Sequence, residues 1–231
     1  SCLNFGVHYT FFRACRTISQ EGKAQFVFSG ERTIAKKLWD PHSPHWNFCR
    51  ALPLQQLDRE ATNELIAQPL KLLQVQISNT SSFQELIWKL TSGHPQIVQY
   101  LGDKLVKRLN ERKPEDRGHL SVEDIYEIAE TYEFKEHYVT TYWGQATDLE
   151  KLISLLIVQG IDTPSELISE FQKRKLLDSE SKVIDALKVL DLYGILRQEG
   201  SKYKLRAEWF VDGLSAYGKL DQIIERHWEK I

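Results

Sequence analysis

Methionine does not occur among the 231 residues, and cysteine occurs only three times. The first absence leaves Ser1 without the residue at which translation starts, and we read the chain as a segment of a longer one. Cys2, Cys15 and Cys49 are odd in number and widely spaced. That excludes a disulfide framework and sets the expectation of reduced thiols in a cytoplasmic protein. No apolar stretch approaches the roughly 18–20 uncharged residues that a membrane helix needs, so no membrane partner is expected. The opening Ser1-Cys-Leu-Asn-Phe-Gly-Val-His8 lacks the basic flank and sustained apolar run of a signal peptide. Charge of one sign is also missing. A net charge of -2 gives no general pull toward nucleic acid or anionic lipid, so any basic surface has to be local. Internal repeats and low-complexity tracts are absent.

What remains is an ordinary globular composition, 42% hydrophobic and 27% charged, long enough for one large domain or two small ones. Phe11, Phe12, Cys15 and Ile18 recur at helical spacing between Val7 and Gln20, and Gly22 stands where such a helix would stop. Ala24–Ser29 reads as a short strand, with Phe26, Val27 and Phe28 in succession suggesting burial on both faces. A helix followed by such a strand is half of a βαβ unit, so this end of the chain is expected to belong to a parallel α/β sheet with its neighbouring strands upstream. Glu31–Trp39 predicts a short helix, broken by Asp40-Pro-His-Ser-Pro44, and Phe48–Leu54 a second strand.

Beyond Leu54 the pattern turns helical. Asp58 is an N-cap for Arg59–Ala67, and Pro69 restarts a helical turn through Leu73. Ser81 or Ser82 opens a helix bearing Phe83, Leu86, Ile87 and Leu90, closed by Gly93. Pro95 begins another, with Ile97, Val98, Leu101, Leu105 and Leu109 on one face. Ser121-Val-Glu-Asp124 is an acidic variant of the capping box and leads into Ile125–Tyr132. Two further boxes, Thr147-Asp-Leu-Glu150 and Thr163-Pro-Ser-Glu166, start helices. A third helix spans Glu180–Tyr193, followed by two short strands around Glu199-Gly200. Three helices and then a hairpin is the order of a winged helix. Residues 207–231 predict one or two more amphipathic helices.

Few residues stand out as carriers of chemistry. Arg32 follows the first strand after the small residues Ser29 and Gly30, and a guanidinium there suits a phosphate at a sheet's carboxyl edge. His42, His45 and Cys49 lie close together, but without a second pair at ligand spacing they predict an aromatic-anchored loop and no metal. No Ser-His-Asp or Cys-His arrangement stands clear of scattered polar residues, so no catalytic residue is assigned.

Phe26-Val-Phe-Ser-Gly-Glu-Arg32 resembles the sensor-one segment of P-loop ATPases of the signal-transduction (STAND) and AAA-like kind. Leu52-Pro-Leu-Gln-Gln-Leu-Asp-Arg-Glu-Ala61 is similar to the strand and capped helix that lead from the ATPase core into its lid. Ser92-Gly-His-Pro-Gln-Ile-Val-Gln-Tyr-Leu-Gly102 resembles the lid's Gly-x-Pro motif. The likeness runs from Phe12 to about Phe210. It implies a mainly α chain: a remnant of a P-loop α/β core (1–56), a helical lid (57–145), a winged helix (146–207) and a C-terminal helical extension (208–231). It also implies that Ser29 and Arg32 meet the terminal phosphate of ATP or ADP, held with Mg in the parent protein. Gly93, His94 and Pro95 would then line the adenine side. No arginine follows Gly93-His94-Pro95 as a second sensor, which favours STAND over standard AAA+.

The departures limit what the chain does alone. The Gly-x-x-x-x-Gly-Lys-Ser/Thr phosphate loop is missing; Gly30-Glu-Arg-Thr-Ile-Ala-Lys36 lacks the second glycine and the ending. An apolar run ending in acidic residues is missing too. The resemblance therefore implies a fragment that needs an N-terminal P-loop core as partner and does not itself hydrolyse or tightly bind nucleotide. In such proteins the winged helix reports nucleotide state to protein partners or effector domains. Two alternatives stay open. One is a DNA-binding module using Lys182 and Lys188 of the third helix with Lys202 and Lys204 of the wing, although the same helix carries Glu180, Asp185 and Asp191. The other is a degenerate ATPase acting as a protein-interaction scaffold.

Overall fold

The computed structural model describes residues 5–29, 42–43, 46–50, 52, 56–144, 146–176 and 179–231. The chain divides into two units, Ser1–Leu54 and Gln55–Ile231.

In the first unit a helix, α1 (Phe5–Gln20), ends as the sequence predicts, with Gly22 in the left-handed region at φ 72°. The expected buried strand over 24–29 is not formed. These residues have no regular secondary structure, and Val27 is 91% exposed. A strand exists only through hydrogen bonds to a neighbour, and no described residue pairs with this segment. Its aromatic rings instead meet one another and the helix: Phe28 lies 5.1 Å from Phe12 and stacks on Phe26 at 6.1 Å. The helix predicted over Glu31–Trp39 lies outside the described residues. So does most of the second strand, and Phe48, Cys49, Arg50 and Leu52 are not in a strand.

The second unit is helical. It comprises α2 (Arg59–Leu72), α3 (Thr80–Thr91), α4 (Pro95–Glu111), α5 (Val122–Ala129) and α6 (Tyr132–Trp143). These are followed by α7 (Asp148–Val158), α8 (Pro164–Lys173), α9 (Glu180–Leu192), a hairpin of β3 (Leu196–Glu199) and β4 (Lys202–Leu205), α10 (Phe210–Leu214) and α11 (Leu220–Trp228). Asp58 caps α2 by accepting from the Ala61 amide at 2.8 Å. The helix does not restart at Pro69 but runs through it. One continuous helix keeps Ile66 and Leu70, both buried, on a single face, and that burial offsets the hydrogen bond the proline cannot donate. Asn79, rather than a serine, caps α3. The acidic box holds: the Ser121 amide donates to Asp124 at 2.9 Å. Thr147 and Thr163 cap α7 and α8 as predicted.

Two further features depart from the sequence pattern. Two short strands, β1 (Gln76–Ile77) and β2 (His119–Leu120), pair as a two-residue parallel bridge, which ties the start of α3 to the start of α5. The helix expected to run to Tyr132 stops at Ala129, and Thr131 caps a separate α6. Phe134, Tyr138, Val139, Tyr142 and Trp143 form its buried face. Residues 208–231 are part of the core: Phe210, Leu214, Ile223, Ile224 and Trp228 are buried, with α10 packed on α6 and α11 on α7.

Candidate functional site

Of the residues singled out as nucleotide contacts, Arg32 lies outside the described residues, and Ser29 is exposed in the irregular segment after α1. Gly93, His94 and Pro95 form the corner between α3 and α4. Ser92 caps α3 in the left-handed region at φ 47°, and Gly93 follows at φ 73°. Two successive left-handed residues reverse the chain within one turn. The corner is tied down on both sides. Gly93 accepts a hydrogen bond from the Leu57 amide at 2.8 Å, and Tyr142 donates its hydroxyl to the Thr91 carbonyl at 2.8 Å. A Cβ on Gly93 would come 2.2 Å from the Leu57 carbonyl oxygen, so this position requires glycine twice, for its φ and for the close approach.

His94 stands at the N-cap of α4 but makes no side-chain capping bond. Its half-buried ring lies 5.0 Å from that of Tyr142, and its buried Nδ1 has no hydrogen-bond partner. Burial pushes the imidazole below its usual range, the neutral ring being easier to desolvate than the cation. Pro95 takes the first turn of α4, where a missing amide hydrogen costs nothing, and is exposed.

Beside this corner lies a polar cleft of about 440 Å³. One wall is α2 and α3, with Arg59, Glu85, Trp88, Lys89 and Ser92. The other is the hairpin and the turn after it, with Arg197, Arg206 and Glu208; Gln56 and Leu57 also line it. Arg59 is held on Glu85 at 2.5 Å with its guanidinium 5.6 Å from the Trp88 ring. Arg197 pairs through Nε with Glu199 at 2.9 Å. Arg206 donates Nε to the Leu196 carbonyl at 2.8 Å, and its Nη2 is 3.5 Å from Asp191. Lys89 has no ion-pair partner among the described residues. The terminal nitrogens of Arg197, Nη1 of Arg206 and Nζ of Lys89 thus remain as donors, against one unpaired carboxylate, Glu208. This surplus of donors suits a ligand rich in acceptor oxygens. Sequence reading could not assemble these residues, because Arg59 and Lys89 are over a hundred positions from Arg197 and only the tertiary fold brings them together.

Three of the cations considered for DNA pair with nearby acids. Lys188 pairs with Asp185 at 3.4 Å, Lys202 with Asp162 at 3.0 Å and Lys204 with Glu199 at 2.6 Å. Lys182 is exposed on the first turn of α9. His45 lies outside the described residues, among which no group of three potential ligands could hold a metal ion. No helix of the described residues is long and apolar enough to cross a membrane. Comparison with protein-family models, characterised proteins and solved structures yields no match.

Proposed function

We propose that the chain is the lid and winged-helix part of a nucleotide-dependent switch of the STAND or AAA-like kind, itself not hydrolytic. The observation that carries this reading is the cleft. It lies beside the Ser92–Pro95 corner, and its surplus donors come from both the α2–α3 wall and the hairpin wall. A ligand bearing phosphates can bridge two such walls and thereby bias their relative position, which is what a switch requires. In this reading α2–α6 is the lid and α7–α9 with the hairpin the winged helix. The resemblance assigns Arg32 and Ser29 to the terminal phosphate of ATP or ADP held with Mg in the parent's P-loop core, and Gly93, His94 and Pro95 to the adenine. The pairing of Lys188, Lys202 and Lys204 with acids favours a protein-facing role for the hairpin module over DNA.

The test compares this chain with the product of the complete reading frame that contains it. The complete protein is expected to carry a Walker A loop and to bind MgATP, with Arg32→Ala weakening the distinction between ATP and ADP. The isolated chain is expected to show no turnover. Turnover by the isolated chain at a rate that Arg32→Ala abolishes, or a complete frame without a phosphate loop, would overturn the reading.

A further inference from the structure

Gln56 and Leu57 are adjacent in sequence, and each is seated on a glycine from a different wall of the cleft. Leu57 donates its amide to Gly93 on the α3 side at 2.8 Å. Gln56 donates Nε2 to the carbonyl of Gly194, in the turn between α9 and β3, at 3.0 Å. Both glycines have positive φ, 73° and 68°, and both approaches depend on a missing side chain. A Cβ on Gly93 would stand 2.2 Å from the Leu57 oxygen, and one on Gly194 would stand 2.1 Å from Gln56 Nε2.

The two attachments differ in kind. The first is backbone to backbone, beside the buried end of α3. The second is one partly exposed side chain with several rotatable bonds. Among the described residues no ion pair crosses from one wall to the other; Arg59, Arg197 and Arg206 all pair within their own wall. Away from the cleft the same two layers are joined by aromatic packing. Trp209 lies 4.9 Å from Tyr138, and Phe210 lies 5.6 Å from Trp143. Glu208, which lines the cleft, directly precedes this packed pair. Among the described residues the two layers are thus packed together at α6 and α10, while on the cleft side Gln56 supplies a side-chain hydrogen bond between the walls.

We propose that Gln56 is a latch: its hydrogen bond to Gly194 holds the hairpin wall closed on the α2–α3 wall, and its release lets the cleft open about the α6–α10 contact. The latch gives the switch reading above its moving part and rests on that reading only for its trigger. A single neutral hydrogen bond suits this duty, since losing it changes a two-state ratio by roughly fivefold rather than unfolding the unit.

Pulsed electron-spin distance measurements test it on the full chain without nucleotide. Labels are placed at Ser82→Cys on α3 and Gln198→Cys on β3, with Cys2, Cys15 and Cys49 changed to alanine. Gln56→Ala is expected to add a longer distance and raise the open-to-closed ratio roughly fivefold. Gln56→Glu, which sets an acceptor against the Gly194 carbonyl, is expected to raise it further. Distributions for both variants that superimpose on the wild type, with unchanged helical circular dichroism, would overturn the latch. Loss of the fold in both variants would overturn it equally, because a latch opens without unfolding. No nucleotide enters this measurement, so its failure and a failure of the ATP experiment are read separately.

Discussion

The hydroxyl of Tyr142 donates to the carbonyl of Thr91 at 2.8 Å, joining α6 to the end of α3 across 51 residues of sequence. The same carbonyl accepts the His94 amide at 2.9 Å. Tyr142→Phe therefore leaves Thr91 with one partner rather than none, and the expected cost is about 1 kcal/mol instead of the larger penalty for an orphaned group. Urea denaturation should show a lower midpoint with an unchanged slope.

Gly93→Ala should be far more damaging than Gly200→Ala. Both glycines have positive φ, 73° and 64°, but a Cβ on Gly200 meets nothing within 4 Å. The expected loss is about 1 kcal/mol at Gly200, from the backbone conformation alone. At Gly93 the clash with the Leu57 carbonyl adds to that, for a total above about 2 kcal/mol. Equal midpoints for the two variants in thermal melts would show that the corner yields without resistance.

Asp124, 3% exposed, accepts from the Ser121 amide and holds both Arg108, at 2.7 Å, and Arg112. Asp124→Ala removes a helix cap and leaves two guanidinium groups without this carboxylate. The arginines are partly exposed and can rehydrate, so the expected destabilisation is about 2–3 kcal/mol, short of the cost of a fully buried broken pair. Asp124→Asn should recover part of it, measured in the same denaturant series.

Acid should weaken the fold through its histidines. Burial holds His94, His137 and His227 below the usual imidazole range. The unfolded chain then binds protons that the folded one refuses. Stability from these groups is whole above the ordinary histidine range near pH 6.5 and falls as the pH drops through that range toward their lowered values. A melting temperature that fell between pH 7 and 5 for the wild type, and less for His94→Gln, would match. A melting temperature that rose on acidification would contradict it.

Duplex DNA offers a separate check. With Lys188, Lys202 and Lys204 bridged to acids, binding at about 150 mM salt should be undetectable, and binding at lower salt should have a shallow salt slope. A steep slope abolished by Lys202→Glu and Lys204→Glu would reinstate the DNA reading.

The helices were legible wherever a local signal fixed them. Asp58, Ser121, Thr147 and Thr163 each stand at a helix start with the capping partner in place. The hairpin followed from Glu199-Gly200 between short apolar-polar alternations. The strand and the bridge depend on pairing that is not local. Phe26-Val27-Phe28 has the composition of a buried strand, yet pairing is a property of two segments and the pattern describes one. The parallel bridge from Gln76–Ile77 to His119–Leu120 is too short to leave a period-two trace. Helix α6 was legible after all, in the spacing of Phe134, Tyr138 and Tyr142 behind Thr131, but a single helix through Tyr132 hid it. At the site, the Gly93 corner could be read from Gly-His-Pro, whereas the cleft charges could not, being contributed by elements far apart in sequence.

Trp228 packs edge-on against Phe171 at 4.9 Å and under the guanidinium of Arg174 at 4.4 Å, near the end of the last helix. Its side chain reaches α8 only after some fifty further residues have been synthesised. On the ribosome, α7 and α8 therefore emerge with one apolar face uncovered. That face stays a target for chaperones or proteases until α11 is free of the exit tunnel. The helix that looks like a tail in the sequence is thus the piece that completes the cover of α7 and α8.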